Sequence, residues 1–177
     1  MSMTLITTNT SSNAATSDFT SSIDSTYKLY IFKFLDINPA TDGAEFSFQA
    51  NAVDASGYNE TITSTAFHAI NHETSGTAQL EYQTGNDQAQ GTGFQHFNNG
   101  LGNGADESLA GTLWLLNPSN TTYVKHFYAT TNYYQNSDYS EQFFIGGYFN
   151  TTAAIDDIQF KMDSGNFDGT IKMYGVG

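Results

Sequence analysis

Four histidines and 18 acidic side chains are the groups in this 177-residue sequence that could hold a metal or move a proton. His68 and His72 stand four apart, which is ligand spacing on a helix. The segment around them, Thr61 to Ile70, alternates as a strand, where residues four apart share a face but lie ~13 Å from one another. They therefore read, with His96 and His126, as polar surface or packing groups. Asp163-Ser-Gly-Asn-Phe-Asp-Gly169 places Ser164, Asn166 and Asp168 ahead of a glycine, in the order of a calcium loop. Six residues later, where such a loop needs a bidentate Glu, the chain has Gly175, and strands rather than helices flank the segment. A hairpin loop is the reading. Asp106-Glu107 and Asp156-Asp157 are adjacent carboxylates that alternate across a strand or sit in a turn, so neither pair signals glycoside hydrolysis. No Ser/His/Asp set with a nucleophile elbow occurs, and Gly102-Asn-Gly104 is too short for a phosphate loop. With no cysteine there is neither a disulfide nor a thiolate site. The expectation is a non-enzymatic chain with no cofactor, no metal and no catalytic residue.

The aromatic residues offer a different chemistry. Tyr133-Tyr134-Gln135-Asn136-Ser137-Asp138-Tyr139 reads as three rings in a polar turn, and Trp114 is the one tryptophan. Saccharide sites stack apolar sugar faces on rings while amides and carboxylates bind the hydroxyls. Tyr133, Tyr134 and Tyr139 are accordingly the candidate ligand-binding residues. The alternative places Trp114 in the core and the three tyrosines against a neighbouring subunit.

The elements that must carry these groups are short strands. Tyr27 to Leu35 has large residues in both alternating sets, which predicts a central strand covered on both faces. Asn38-Pro39-Ala40-Thr41-Asp42-Gly43 is a turn. Glu45 to Asn51 alternates with Phe46 and Phe48 inward. In Thr61 to Ile70, Ile62, Ser64, Ala66 and His68 fall in one set and Phe67 in the other. Ala78 to Tyr82 is a further short strand. Thr84 to Gly104 is loop-like, anchored by Phe94 and Phe97, and a loop that long is functional or hides strands. Leu109–Leu116 and Tyr123–Thr130 flank Asn117-Pro118-Ser119-Asn120 as a hairpin. Gln142–Asn150, Asp156–Met162 and Thr170–Val176 complete eight to ten strands. An all-β antiparallel sandwich of jelly-roll type, one domain over residues 1–177, is the expected fold. Residues 1–24 are either an edge strand at Thr4–Thr8 with a polar loop, or an arm that adds to a neighbour's sheet.

Composition narrows the partners. Aromatic residues make up 15% of the chain and supply burial that aliphatic residues usually carry, which suits strands. The net charge of −13 leaves no basic footprint for nucleic acid, and the same sign disfavours an anionic membrane. No apolar run approaches a membrane span, so no membrane insertion is expected. At seawater-like ionic strength the screening length falls to roughly 4 Å, and copies of an acidic chain can then pack side by side. Met1-Ser-Met-Thr-Leu-Ile lacks the form of a signal peptide, which implies synthesis in a cytoplasm without Sec export. The Asn-x-Ser/Thr triplets at Asn9, Asn59, Asn120 and Asn150 then read as chance.

The ending from Ala154 to Val176 resembles the end of a family of short virion proteins from tailed, often marine, bacteriophages. Ile23-Asp-Ser-Thr-Tyr27, Asn38-Pro-Ala-Thr-Asp-Gly43 and Gly147-Tyr-Phe-Asn-Thr-Thr152 agree with it, so the resemblance runs from about Leu5 to Val176. It implies a jelly-roll-like structural protein on the virion exterior, of capsid-decoration or tail-fibre type, made in the host cytoplasm. It also implies assembly with copies of itself, commonly as a homotrimer, and with other capsid or tail proteins. No site residues come with it. A carbohydrate-binding knob that recognises a host surface glycan is the alternative. A domain of this length has a radius of gyration of roughly 16 Å, so it is a knob and not a shaft.

Overall fold

The computed structural model describes residues 2–177, in which thirteen strands and no helix are found. They are β1 (Met3–Ala14), β2 (Thr16–Phe19), β3 (Leu29–Pro39), β4 (Phe46–Ala52), β5 (Ile62–His72), β6 (Ala78–Tyr82) and β7 (Ala89–Gly91). After these come β8 (Gln95–His96), β9 (Leu109–Leu116), β10 (Lys125–Gln135), β11 (Tyr139–Phe149), β12 (Ile155–Met162) and β13 (Phe167–Val176). All pairings are antiparallel. A large sheet runs β1-β13-β3-β9-β10-β11-β5-β6 with β7 beside β5, and a small sheet runs β2-β12-β4-β8. The chain is an all-β sandwich.

Alternation explains the layer between the sheets. Phe32 and Phe34 of β3, Phe127 of β10 and Phe149 of β11 point from the large sheet to Phe46 and Phe48 of β4 and Phe160 of β12. The rings meet edge to face or stacked, as in Phe34–Phe46 (5.3 Å, 88°) and Phe48–Phe97 (4.8 Å, 16°). Such pairs hold beyond their area because a positive ring edge meets a negative ring face. The two alternating sets of β5 do fall on opposite sides: Ile62, Ser64, Ala66 and His68 are buried and Phe67 is exposed, which puts His68 in the interior and not on the polar surface.

The strands outnumber the eight to ten expected because two segments subdivide. The first 24 residues give two strands. β1 pairs with β13 of the same chain as an edge strand, then turns at Asn13 (φ 50°) so that β2 enters the small sheet. The long loop hides β7 and β8, with Phe97 fully buried. Amide side chains hold it in place of a regular ladder. Gln95 accepts from Ser64 Oγ at 2.6 Å, Asn98 accepts from the Phe46 N–H at 2.6 Å, and Gln49 donates to Gly93 O at 2.9 Å.

Two expectations need correction. The Asp163–Gly169 segment is not a hairpin loop, because β12 lies in the small sheet and β13 in the large one. It is an arch between layers, and its turn residues serve either geometry. Gly165 (φ 72°) and Gly169 (φ 139°) do take the positive φ that favours glycine. A Cβ on Gly169 would lie 2.9 Å from Asp36 O. The second correction concerns β3, whose inward residues Tyr30, Phe32 and Phe34 are buried. Its other set, Leu29, Ile31, Lys33 and Leu35, faces outward, and no second layer of strands lies over it among the described residues; Leu35 is 40% exposed, while Ile31 is 8% exposed.

Candidate interaction face

The structure separates the three candidate tyrosines. The turn is confined to Asn136–Asp138, and Tyr133 and Tyr134 lie inside β10, where successive side chains point to opposite faces. Tyr133 points inward and is 2% exposed. Its hydroxyl donates to Glu141 Oε2 and accepts from the Asn99 N–H at 2.8 Å. Burial first, then the neighbouring Glu141, pushes the phenol well above its ordinary range, so it is a neutral donor in the interior. His68 Nδ1 lies 3.3 Å from the same carboxylate oxygen, and Gln83 caps the far ring nitrogen at 2.7 Å. Tyr134 points outward to Asp138 at 3.2 Å. Its phenol is pushed up to about 12 by desolvation first and then by hydrogen bonds to Glu73 and Asp138. Tyr139 packs edge to face on His72 (4.6 Å, 87°). Rings divided between two faces of a sheet cannot form one stacking platform.

The rings that do share a face belong to the outside of the large sheet. Paired residues on adjacent strands point the same way. The registers therefore draw one row across seven strands: Leu5, Tyr174, Ile31, Trp114, Tyr128, Gly146 and Thr65. A second row holds Thr8, Lys172, Lys33, Thr112, Thr130, Phe144, Phe67 and Tyr82. Trp114 is not a core residue. It stacks on Tyr128 (4.8 Å, 18°), and the Lys33 ammonium sits 5.9 Å from its ring. Phe67 and Phe144 stack likewise (4.8 Å, 10°). Gly146 leaves a notch between them, lined by Thr65, Tyr128 and Tyr148, and a Cβ there would meet nothing nearer than Thr65 Oγ1 at 4.0 Å.

Nine large apolar side chains are exposed among the described residues, and all but Val53 and Tyr123 stand on this face. Its charge is as unusual as its apolarity. Four acidic residues lie in the strands of the large sheet. Glu141 and Glu81 are on the inner side with His68. Asp36 and Asp168 sit at the bulges that end the regular pairing. Glu73 and Asp106 gather near Tyr134 at one rim. The field of rings itself holds no carboxylate, in a chain of net charge −13. A face so built is suited to stacking and to apolar contact. Sequence reading missed it because β9, β10 and β13 each contribute only one or two rings, and only the register aligns them.

Among the described residues no three His, Asp or Glu side chains converge in a way that can hold a metal ion. In the Asp163–Gly169 arch, Asp163 accepts from the Glu45 N–H and Asp168 from the Asn13 N–H, which ties both carboxylates to the backbone. The chain matches no protein-family model, and no curated protein matches it in sequence.

Proposed function

We propose that this protein is a non-enzymatic structural subunit on the exterior of a bacteriophage particle, attached to its neighbours through the outer face of the large sheet. The observation that carries the reading is the concentration of exposed apolar side chains on one carboxylate-free face of an acidic sandwich. Soluble monomers rarely leave so continuous an apolar patch in water, and such patches mark places where another molecule binds. The virion placement is supported by the resemblance of Ala154–Val176 and the three upstream stretches to tailed-phage structural proteins. Purified particles probed with an antibody to the chain test it. Gold label on the capsid or tail surface is the expected result, and particles free of the chain exclude it.

Saccharide recognition is the second reading. The stacked Trp114–Tyr128 pair favours it, with the His126 and Asn132 side chains in the same outward set of β10 as Tyr128. A glycan array comparing the parent with Trp114→Ala separates the two readings.

A further inference from the structure

We propose that the partner of the large sheet's outer face is a second copy of this chain, packed face to face about a two-fold axis. This rests on the reading of that face as an assembly surface and names what covers it. Size is the first argument. Eight strands spaced about 4.8 Å apart, each contributing about 26 Å of length, present roughly 900 Å². A stable interface needs about 800 Å² from each partner. Shape is the second. Two sheets of the same twist stack with their strands within about 30° of one another, which a two-fold close to the strand direction provides.

Place that axis over the boundary of β9 and β10, the midpoint of the strand order. Trp114 then meets the Tyr128 of the other copy, and Ile31 meets its Gly146. Trp114 stands next to Ile31 in the row, so its ring borders the notch that the missing side chain leaves. Charge is the third argument. In the next row Lys33 and Lys172 come opposite Phe144 and Phe67 of the other copy, so each cation faces an uncharged ring and not the cations of the other copy. An isologous contact makes each of these meetings twice. The acidic rims around Glu73 and Asp106 are brought side by side, so association strengthens as salt screens them.

The chain lacks cysteine, which permits a direct test. Within one copy, residues 65 and 174 are five strand spacings apart, about 24 Å. Two stacked sheets lie about 10 Å apart, too far for a disulfide but within reach of a short bismaleimide. The two-fold brings Tyr174 opposite Thr65 of the other copy, so the double variant Thr65→Cys with Tyr174→Cys can be bridged by that reagent only between copies. At seawater-like salt it is expected to run as a covalent dimer on a denaturing gel, with neither single variant doing so. Light scattering of the parent should give twice 19.3 kDa. Tyr128→Asp should weaken association at least tenfold while its urea midpoint at low protein concentration stays at the parent value. A monomeric parent, a mass three times that of the chain, or a dimer that resists both the cross-link and Tyr128→Asp overturns the proposal. So does a monomer that binds a glycan and loses it on Trp114→Ala. Each result is independent of whether the chain is found on particles, so failure of the pairing and failure of the virion reading are told apart.

Discussion

The two sheets of the sandwich turn very different outer faces to their surroundings. On the small sheet the outward positions are Thr16, Lys161, Ser47 and His96 in one row and Asp18, Gln159 and Gln49 in the next. Every one is polar; Gln159 donates to Asp18 at 2.7 Å, while Ser47 and Gln49 are buried, Gln49 donating to the Glu60 and Gly93 carbonyls of the loops beside it. On the large sheet the matching rows set tryptophan, tyrosine, phenylalanine and isoleucine among threonines and two lysines, with no carboxylate. Strand alternation acts equally on both, so alternation alone cannot explain the difference. A half-buried antiparallel strand ordinarily alternates apolar inside with polar outside. The small sheet follows that rule; the large sheet departs from it in the rows that carry its exposed rings.

Five substitutions, two of them taken as a pair, break or sharpen this comparison. The largest effect belongs to the layer that both sheets share. Phe160→Ala removes a fully buried ring that touches Phe32, Phe34 and Phe46, and should cost about 3–5 kcal/mol in urea unfolding. A loss below about 1 kcal/mol would mean that the two layers are not packed through this ring. Next is Gly169→Val, at the bulge where the outer face of β13 ends. The required φ of 139° and the approach to Asp36 O predict a loss of about 2–3 kcal/mol, and an unchanged urea midpoint would show that the bulge can relax.

The third change addresses the outer faces themselves. Trp114→Ser and Gln159→Ser occupy equivalent outward positions on the two sheets. Each should shift unfolding of the dilute chain by no more than about 1 kcal/mol, while only Trp114→Ser alters the mass seen by light scattering. Equal effects on mass would erase the distinction between the faces. The smallest effect is electrostatic. Burial first, then Asp156, raises the Asp157 carboxyl above its ordinary value, with Asp18 adding to the rise. The folded state therefore binds the proton more tightly than the unfolded chain, so stability falls as pH climbs through the raised pKa. Asp157→Asn should raise the Tm by about 2 °C at most at pH 8, and by nothing below the normal carboxylate range. A lower Tm at pH 8 would reverse the sign.

Much of the inner layer was legible in the sequence, because Phe46-Ser-Phe48 and Ile62-Thr-Ser64-Thr-Ala66 alternate without interruption. What escaped was decided by partners far away in the chain. Large residues on both sides of β3 imply that both sides are covered, but they do not say by what; here a second layer of strands lies over one side only. Tyr133 and Tyr134 look like a turn cluster until β10 is seen to run on to Gln135, whereupon neighbours in sequence become residents of opposite faces. Ser164-Gly165-Asn166 has turn chemistry that fits a hairpin and an arch equally, and only the assignment of β12 and β13 to different sheets distinguishes them. The strands within Thr84–Gly104 carry no periodicity at all. Their order comes from Gln95, Asn98 and Gln49, side chains whose amides stand in for missing ladder bonds.

The edge formed by β1 and β13 has a mechanical consequence. The two strands are antiparallel, and Ser2 N donates to Gly177 O at 2.9 Å, so the two ends of the described chain lie beside one another. A load drawing those ends apart bears on the β1–β13 hydrogen bonds one after another, as on the teeth of a zip. It never shears them together. The first strand should peel away at low force while the aromatic interior, out of the line of tension, stays shut.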